Sequence, residues 1–402
     1  MQIKSLSLLF LGACAVLPSS ATGDDDDGSG MTDPGGGGSG GGGGGSGAGD
    51  WRSIALVDDG NIHHADNDRV TALLFTAPDR GFIATQGADD SFFDGGAVFG
   101  VNGATVSLAF SGKAGGPSLL GTVDFTGLEQ TPSGFVAMAY AADVVRGDTS
   151  GHFSIMKNGN LGGIEPAIGY RETAAGTTII RKTGVVSLAS TASGPGASFT
   201  DVWAPNATQR IPANLPAEMC QGGPLGTGSP TTRYSTYIGN NLIAYTSDPE
   251  FDPQICISTD GGKSFYPSRL EVDDAAVELP PTGVVFASAS TGITWWGSST
   301  AKPYIQRTTD AGKTWHNVGV PAALAGHGLA LNAGFFAPDG QHAWIVGYDH
   351  DSNKAVGLAS TDAGATWSAM SGLGDAELFS GFALDATHVW LGGAKGTVLA
   401  RD

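Results

Sequence analysis

Positive charge is scarce in this sequence. Lysine and arginine together number 20, against 39 aspartates and glutamates, which gives a formal net charge of −19 at pH 7. Nucleic-acid binding needs clustered lysines and arginines that neutralise phosphates, and electrostatic attachment to anionic lipid needs similar clusters. The composition therefore argues against both of these functions.

Helical periodicity is also missing. No segment repeats apolar residues at helical spacing over a dozen positions, whereas 64 glycines and short alternating segments are typical of strands joined by turns. With 41% hydrophobic residues among 402, the chain can still bury a large core. We therefore expect an all-β fold.

The first 14 residues have the features of an export signal. MQIKSLSLLFLGAC contains one lysine and an apolar run, Leu6 to Leu11, that is too short to span a bilayer. Leu11-Gly12-Ala13-Cys14 resembles the lipobox of bacterial lipoproteins, which implies acylation of Cys14 and, with Ala15 next, sorting to the outer membrane of a Gram-negative cell. The alternative is an ordinary signal peptide that is cut near residues 19–21.

Residues 15–49 separate this signal from the rest of the chain. They are built largely of glycine, serine and aspartate, a composition that has nothing to bury and is typical of a flexible tether. The run Asp24 to Asp27 is interpreted as a solvated spacer rather than a cation site. A single folded domain is therefore expected over residues 50–402.

Cysteine is limited to Cys14, Cys220 and Cys256. If Cys14 carries lipid, the other two remain as a pair in an exported protein, which predicts a disulfide worth on the order of 3 to 4 kcal/mol. The alternative is two buried thiols, since no Cys-x-x-Cys or Cys/His zinc spacing is present.

One pattern, Ser/Thr-x-Asp-x-Gly-x-Thr/Ser-aromatic, occurs three times. The copies, called octets below, are STDGGKSF at 258–265, TTDAGKTW at 308–315 and STDAGATW at 360–367. Their aspartates, Asp260, Asp310 and Asp362, can accept hydrogen bonds from backbone N–H groups ahead of them, and the glycine can supply a positive φ. The aromatic residue can anchor the strand that follows. We therefore predict a structural role for the octets.

The segments around the octets align as four-stranded units. On this alignment fourth strands begin near residues 106, 162, 209, 265, 315 and 367. After 367 the chain supplies only three more strands. Pairing of a strand that begins at Trp51 with residues 396–401 would complete the last unit and close a ring of seven.

The octets resemble Asp-boxes, also called bacterial neuraminidase repeats. These repeats occur in sialidases, xyloglucanases, sortilin-type receptors and the photosystem II assembly factor family of propellers. The resemblance covers roughly residues 51–402 and implies a seven-bladed β-propeller of four-stranded blades. It implies no single activity, because these families differ in function.

In such a blade the loop between strands three and four lies on one face, and the loops between strands two and three and between blades lie on the other. The octets belong to the first group, so a ligand site is expected on the second face, called the crown face below. Aromatic residues beside carboxylates there suit sugar rings, cationic peptides or calcium; the alternative is solvated loop tips with tyrosines packed between blades. The candidate ligand-binding residues are Tyr140, Asp143, Tyr245, Asp248, Trp296, Tyr348, Asp349, His350 and Asp351.

A second cluster on the crown face has metal-ligand side chains. His63, His64, Asp66 and Asp68 lie in one predicted connection between blades. Adjacent histidines in a loop usually point apart, which weakens a defined site there. No cofactor is required by the sequence, although bound calcium is one alternative.

Catalytic motifs are incomplete. Sialidases hold the substrate carboxylate with three arginines, and Arg210-Ile211-Pro212 matches only part of their Tyr/Phe-Arg-Ile-Pro motif, since Gln209 precedes it. No Gly-x-Ser-x-Gly elbow, phosphate loop or His-Glu-x-x-His is present. We expect a monomeric, lipid-anchored envelope module that binds protein or glycan without catalysis. The alternatives are a sialidase-like glycoside hydrolase and a calcium-stabilised surface protein.

Overall fold

A computed structural model describes most of the second half of the chain and parts of the first. The described residues are 51–57, 68–87, 95–112, 125–132, 134–139, 144–148, 150–156, 167–173, 176–181, 186–189, 200–203, 236–239, 241–246, 254–261, 266–270, 281–299 and 302–402. Within these ranges no helix is long and apolar enough to cross a membrane.

The described residues form seven antiparallel sheets of four strands each. Sheets 1 to 3 consist of β2 (Arg69–Ala77), β3 (Arg80–Gln86), β4 (Ala97–Asn102) and β5 (Thr105–Ser111); β6 (Phe125–Thr131), β7 (Gly134–Ala139), β8 (Val144–Gly147) and β9 (Phe153–Met156); and β10 (Ala167–Thr173), β11 (Gly176–Arg181), β12 (Val186–Ala189) and β13 (Thr200–Trp203). Within each sheet, strands that follow one another in sequence are hydrogen-bonded neighbours.

Sheets 4 to 6 have the same order of strands. They consist of β14 (Thr236–Ile238), β15 (Ile243–Thr246), β16 (Gln254–Ser258) and β17 (Tyr266–Arg269); β18 (Gly283–Phe286), β19 (Gly292–Trp296), β20 (Tyr304–Thr308) and β21 (His316–Asn317); and β22 (Leu329–Phe336), β23 (Ala343–Asp349), β24 (Lys354–Ser360) and β25 (Ser368–Ala369). A short 3-10 helix, Ala322–Leu324, lies between sheets 5 and 6.

Sheet 7 combines both ends of the described chain. It contains β26 (Leu378–Ala383), β27 (Val389–Gly393) and β28 (Val398–Arg401), and its fourth strand is β1 (Arg52–Ser53), which pairs antiparallel with β28. The N–H of Ile54 continues the pairing by donating to the carbonyl of Val398 at 2.9 Å. Beside it, the guanidinium of Arg401 lies 5.4 Å from the ring centre of Trp51.

The first strand of each sheet contacts the first strands of two other sheets. β2 contacts β6, β6 contacts β10, β10 contacts β14, β14 contacts β18, β18 contacts β22, β22 contacts β26, and β26 contacts β2. Large apolar side chains fill the space between neighbouring sheets; for example, the rings of Phe75 and Trp390 stack at 3.9 Å between sheets 1 and 7. The core is therefore divided among the interfaces between sheets.

Side-chain hydrogen bonds to backbone carbonyls recur between first strands. Thr71 donates to the carbonyl of Phe125 at 2.7 Å, Asn332 donates to that of Leu378 at 2.9 Å, and Ser380 donates to that of Val70 at 2.8 Å. Each donor lies at or next to a bulge in its strand. These buried bonds connect each of these sheets to the next one.

The prediction of an all-β fold of four-stranded sheets is confirmed. The predicted fourth strands near 162 and 209 are wrong, because β9 begins at Phe153 and β13 at Thr200. In sheet 2 the cause is a shorter turn than an octet. One oxygen of Asp148 accepts from the N–H groups of Ser150 and His152, so that β8 reaches β9 within a few residues.

Candidate functional site

The octets form tight turns in which the aspartate accepts hydrogen bonds from its neighbours in sequence. Asp362 accepts from the hydroxyl of Ser360 at 2.8 Å and from the N–H and hydroxyl of Thr366 at 2.8 and 2.6 Å. Asp310 has the equivalent bonds with Thr308 and Thr314. In the first octet, whose residues 262–265 lie outside the described ranges, Asp260 accepts from Ser258 at 2.8 Å.

These bonds keep the carboxylates of Asp310 and Asp362 ionised. Burial by itself would raise the pKa of Asp310 and of Asp362, but the N–H and hydroxyl donors of the turn outweigh it and lower each pKa to about 2. An aspartate whose oxygens are held in this way is not available as a general acid at neutral pH.

The octet turns also contact the preceding sheet. The hydroxyl of Tyr266 donates to the carbonyl of Ala311 at 2.7 Å, and Arg307 Nε donates to the carbonyl of Ala363 at 2.8 Å. The N–H groups of these two alanines donate to the hairpins between the first and second strands of their own sheets. The turns therefore lie at the same end of the sheets as those hairpins and support the packing of neighbouring sheets.

The opposite end of sheet 6 brings two distant loops together. One follows the short 3-10 helix and contains His327 and Gly328; the other joins β23 to β24 and contains Asp349, His350 and Asp351. The N–H of Gly328 donates to Asp351 Oδ2 at 2.9 Å, and the N–H of His350 donates to the carbonyl of Gly328 at 3.0 Å. This end is the crown face that the sequence predicted to carry a site.

Three side chains, His327, Asp349 and Asp351, form what we call the crown cluster. One possible ligand atom from each lies within 4.8 Å of the others, and His327 Nδ1 is 2.9 Å from Asp349 Oδ2. The side chain of Asp349 is only 5% exposed, whereas that of His327 is 37% exposed. A buried acceptor beside a solvent-accessible imidazole could hold a metal ion or accept hydrogen bonds from a ligand.

Asp349 is held in place by several donors. Burial by itself would raise its pKa, but the Ser352 hydroxyl, His327 and the N–H groups of Asp351 and Ser352 outweigh it and lower the pKa below the usual value. The Ser352 hydroxyl lies 2.7 Å from Asp349 Oδ2, and the N–H of Asp351 lies 3.0 Å from Asp349 Oδ1. The carboxylate is therefore ionised and fixed in orientation.

Aromatic residues predicted on the crown face have different environments. Tyr348 is partly buried, and its ring meets that of the exposed His350 edge to face, with centres 5.2 Å apart. Trp296 is only 7% exposed and stacks on Tyr304 in the core, so its ring does not line the surface. The structure thus groups Tyr348, Asp349, His350 and Asp351 but leaves Trp296 inside.

Several predicted site residues lie outside the described ranges. They are Cys14, His63, His64, Asp66, Tyr140, Asp143, Cys220, Asp248 and the side chain of Tyr245. Of the predicted metal cluster only Asp68 is described; it is buried and accepts from the hydroxyl of Thr85 at 2.5 Å. Cys256 is buried in β16.

Sequence reasoning overlooked two kinds of polar group. Asp339 pairs with His342 at 2.6 Å and Asp385 pairs with His388 at 2.8 Å, each within a hairpin between first and second strands. The repeated Asp-x-x-His spacing could have revealed them. The second kind is Glu129. Burial raises the pKa of Glu129 to about 8, although the charge of Arg171 opposes the shift. No local sequence pattern indicates that the pKa of this glutamate is raised.

Comparison with solved structures shows a β-propeller fold. YCF48 from Cyanidioschyzon merolae matches with a TM-score of 0.57 and 12% identity over 88% of this chain and 98% of that one. YCF48 bound to D1 peptide matches with a TM-score of 0.53 and 10% identity over 87% and 96%. The GH74 xyloglucanase from Xanthomonas campestris gives a TM-score of 0.55 and 14% identity over 88% of this chain but only 54% of its own.

No protein-family model and no curated protein matches the sequence. At these identities the structural similarity establishes the fold alone, because propellers with the same architecture have unrelated activities.

Proposed function

We propose that this protein is a non-enzymatic binding or assembly module, a seven-bladed propeller whose crown face docks a protein or glycan partner. The observation that carries the proposal is the separation of roles between the two ends of sheet 6. The carboxylates of Asp310 and Asp362 accept several hydrogen bonds from their own turns, while the crown cluster presents the imidazole of His327 and the carboxylate of Asp351 to solvent. Ligand contacts in folded domains are commonly made by such loops on a rigid scaffold.

The ring of seven blades is part of this proposal. Seven four-stranded sheets, successive contacts between first strands that return from β26 to β2, and the pairing of β1 with β28 all support it. Closure by the N-terminal strand would cover the edge of sheet 7 and fix the last blade. The octets are interpreted as Asp-boxes, consistent with the hydrogen bonds of Asp310 and Asp362.

One structural neighbour favours a binding module over an enzyme. That neighbour is YCF48 bound to D1 peptide, so a propeller of similar fold accommodates a peptide partner. Two other neighbours are GH74 glycoside hydrolases, which keeps hydrolysis as the second candidate. The partial sialidase motif at Arg210 lies outside the described residues and adds no support for that candidate.

The cellular setting is proposed from the sequence. Export, lipid attachment at Cys14 and a tether over residues 15–49 would place a monomeric propeller at the bacterial outer membrane. A disulfide between Cys220 and Cys256 fits an oxidising compartment. Mass spectrometry of the purified protein under non-reducing conditions tests both modifications, and an unmodified Cys14 with two free thiols would contradict this part.

Binding is tested with charge changes on the two faces. A crown variant, His350→Ala with Asp351→Lys, is compared with an opposite-face variant, Lys313→Glu, in capture of partners from the cell envelope. We expect the crown variant to capture at least about tenfold less partner than the wild type, since a charge reversal at a docking surface opposes association. The Lys313→Glu variant should capture as much as the wild type, because Lys313 is exposed on an octet turn, at the end of the sheets opposite the crown face.

The enzyme alternative is tested with fluorogenic glycosides, including a sialoside. The proposal expects no release of the fluorophore above the rate in buffer. If the wild type hydrolyses a glycoside and the crown variant does not, the protein is a glycoside hydrolase and the proposed binding role is wrong.

In the capture experiment, equal amounts of partner bound by the wild type, the crown variant and Lys313→Glu would show that the docking surface is not the crown face.

A further inference from the structure

The crown cluster differs in composition from other polar clusters of the described chain. It combines an imidazole with two carboxylates, contributed by loops that are 22 residues apart in sequence. Among the described residues it is the only group of three or more potential metal-ligating side chains whose ligand atoms lie within 4.8 Å. An imidazole with carboxylates suits zinc and related transition ions better than calcium, which prefers oxygen donors throughout.

Charge balance is the second observation. Asp349 is only 5% exposed, and buried carboxylates are usually paired with a cation or bound to a metal. Within the described ranges neither Asp349 nor Asp351 forms an ion pair with a lysine or arginine; His327 is the only titratable nitrogen bonded to either. The crown cluster therefore holds negative charge that a divalent cation would balance.

The distances fit an ion as well as a hydrogen bond. His327 Nδ1 and Asp349 Oδ2 are 2.9 Å apart. Two ligands about 2.0 to 2.2 Å from one zinc ion lie roughly 2.8 to 3.6 Å from each other when they subtend 90 to 109°. Because the three ligand atoms already lie within 4.8 Å of one another, Asp351 needs to move by at most about 2 Å to complete the set.

Both carboxylates are already oriented by other groups. The N–H groups of Asp351 and Ser352 donate to Asp349 Oδ1, the Ser352 hydroxyl donates to Asp349 Oδ2, and the N–H of Gly328 donates to Asp351 Oδ2. Outer donors of this kind fix metal ligands and raise affinity. A carboxylate offers about four acceptor positions. These bonds use three of them on Asp349, so an ion would take the fourth position, which His327 now occupies, and Asp351 keeps further positions open.

We propose that His327, Asp349 and Asp351 bind one divalent transition-metal cation of the zinc class at the crown face. Water would complete the coordination of the ion, because His327 is 37% exposed and Asp351 is exposed. The inference goes beyond the proposed function, and it stands whether or not a macromolecule docks on the same face.

The test is calorimetric titration of the full chain with Zn²⁺, in parallel with Ca²⁺ and Mg²⁺. We expect one Zn²⁺ site that Asp351→Asn and His327→Gln each weaken by at least about tenfold. Both residues are solvent-accessible, so without metal the two variants should melt within a few degrees of the wild type, and Zn²⁺ should raise the melting temperature only in the wild type.

Two controls separate this site from the other candidates. Asp385→Asn alters an Asp–His pair at 2.8 Å that belongs to no group of three metal-ligating side chains among the described residues, and it should leave Zn²⁺ affinity unchanged. A His63→Gln, His64→Gln double variant removes the histidines of the other predicted cluster and should also bind normally. Three outcomes would overturn the proposal. They are loss of Zn²⁺ binding in either control, equal Zn²⁺ affinity of Asp351→Asn and the wild type, and binding of Ca²⁺ without binding of Zn²⁺.

Discussion

The third octet turn and the crown cluster occupy opposite ends of sheet 6, and their aspartates obtain hydrogen-bond donors from different parts of the chain. Asp362 accepts only from residues within four positions, Ser360 and Thr366. Asp349 accepts from Ser352 nearby but also from His327, 22 positions earlier. The first arrangement depends on a local turn, and the second depends on the packing of two loops by the whole sheet.

The two arrangements also differ in which groups complete the hydrogen bonds of each carboxylate. In the octet, the bonds of Asp362 are completed by its own turn, and the turn is fastened to sheet 5 through Arg307. In the crown cluster, part of the donor set is the exposed imidazole of His327. Substitutions should therefore reduce stability most at the octets and ligand binding most at the crown.

The largest loss of stability is expected from Gly312→Ala. Gly312 has φ of +78°, and an added Cβ would lie well inside contact distance of the buried Ile257 Cδ1. The left-handed backbone costs roughly 1 to 2 kcal/mol for alanine, and the clash adds to it, so we expect a loss of about 3 kcal/mol in urea unfolding.

Gly261→Ala is the matched control. Gly261 has φ of +75°, yet an added Cβ would have nothing within 4 Å. Only the backbone term applies, and the expected loss is about 1 kcal/mol. Equal losses at the two glycines would show that the octet of sheet 5 does not depend on its contact with sheet 4.

A smaller effect is expected when one aspartate from each end of sheet 6 is replaced. Asp362→Ala removes an acceptor from Ser360 and from two donors of Thr366, and should cost about 2 kcal/mol. Asp351→Asn affects a single accepted bond from Gly328 and should cost about 0.5 kcal/mol. Thermal unfolding of both variants checks the ratio, and a costlier Asp351→Asn would contradict the structural difference between the two ends.

The octet aspartates should also contribute to the loss of stability at acidic pH. The folded-state pKa of Asp310 and of Asp362 is about 2, below the usual aspartate value of 3.8, so each carboxylate contributes stability that is present above about pH 4 and lost as pH falls towards 2. After allowance for partial exposure, each contribution is about 1 kcal/mol. An Asp310→Asn, Asp362→Asn double variant should therefore show a shallower fall in unfolding free energy over this range. An unchanged slope would assign the acid sensitivity to other groups.

The same contrast explains what the sequence could predict. The octets are turns, as the sequence predicts, because the donors to Asp310 and Asp362 lie within the pattern. Four-stranded sheets follow from the spacing of the octets. The fourth strands near 162 and 209 were misplaced because Asp148 replaces an octet in sheet 2, and sheet 3 has no recognisable octet either. Local degeneracy of this kind leaves no repeat to align.

The crown face was predicted only in outline. Blade topology indicated that the loop after Tyr348 and the connection containing His327 lie at one end, but no spacing indicates that His327 meets Asp349. Burial of Trp296 was missed for a related reason. Its position at the end of a second strand is correct, but the stacking on Tyr304 depends on the partner strand β20. Contacts between elements decide these details.

The smallest expected effect compares two residues with left-handed backbones. Ala311, in the second octet, has φ of 64°, and Asn353, in the crown loop, has φ of 53°. Asparagine adopts this conformation at a lower cost than alanine does. Ala311→Gly should therefore stabilise the protein by about 0.5 kcal/mol after the entropy cost of glycine and the loss of a partly buried methyl. The first octet already has glycine, Gly261, at the equivalent position. Asn353→Gly should change the unfolding free energy by less than about 0.5 kcal/mol, and a larger gain there than at Ala311 would mean that backbone strain is stored at the crown.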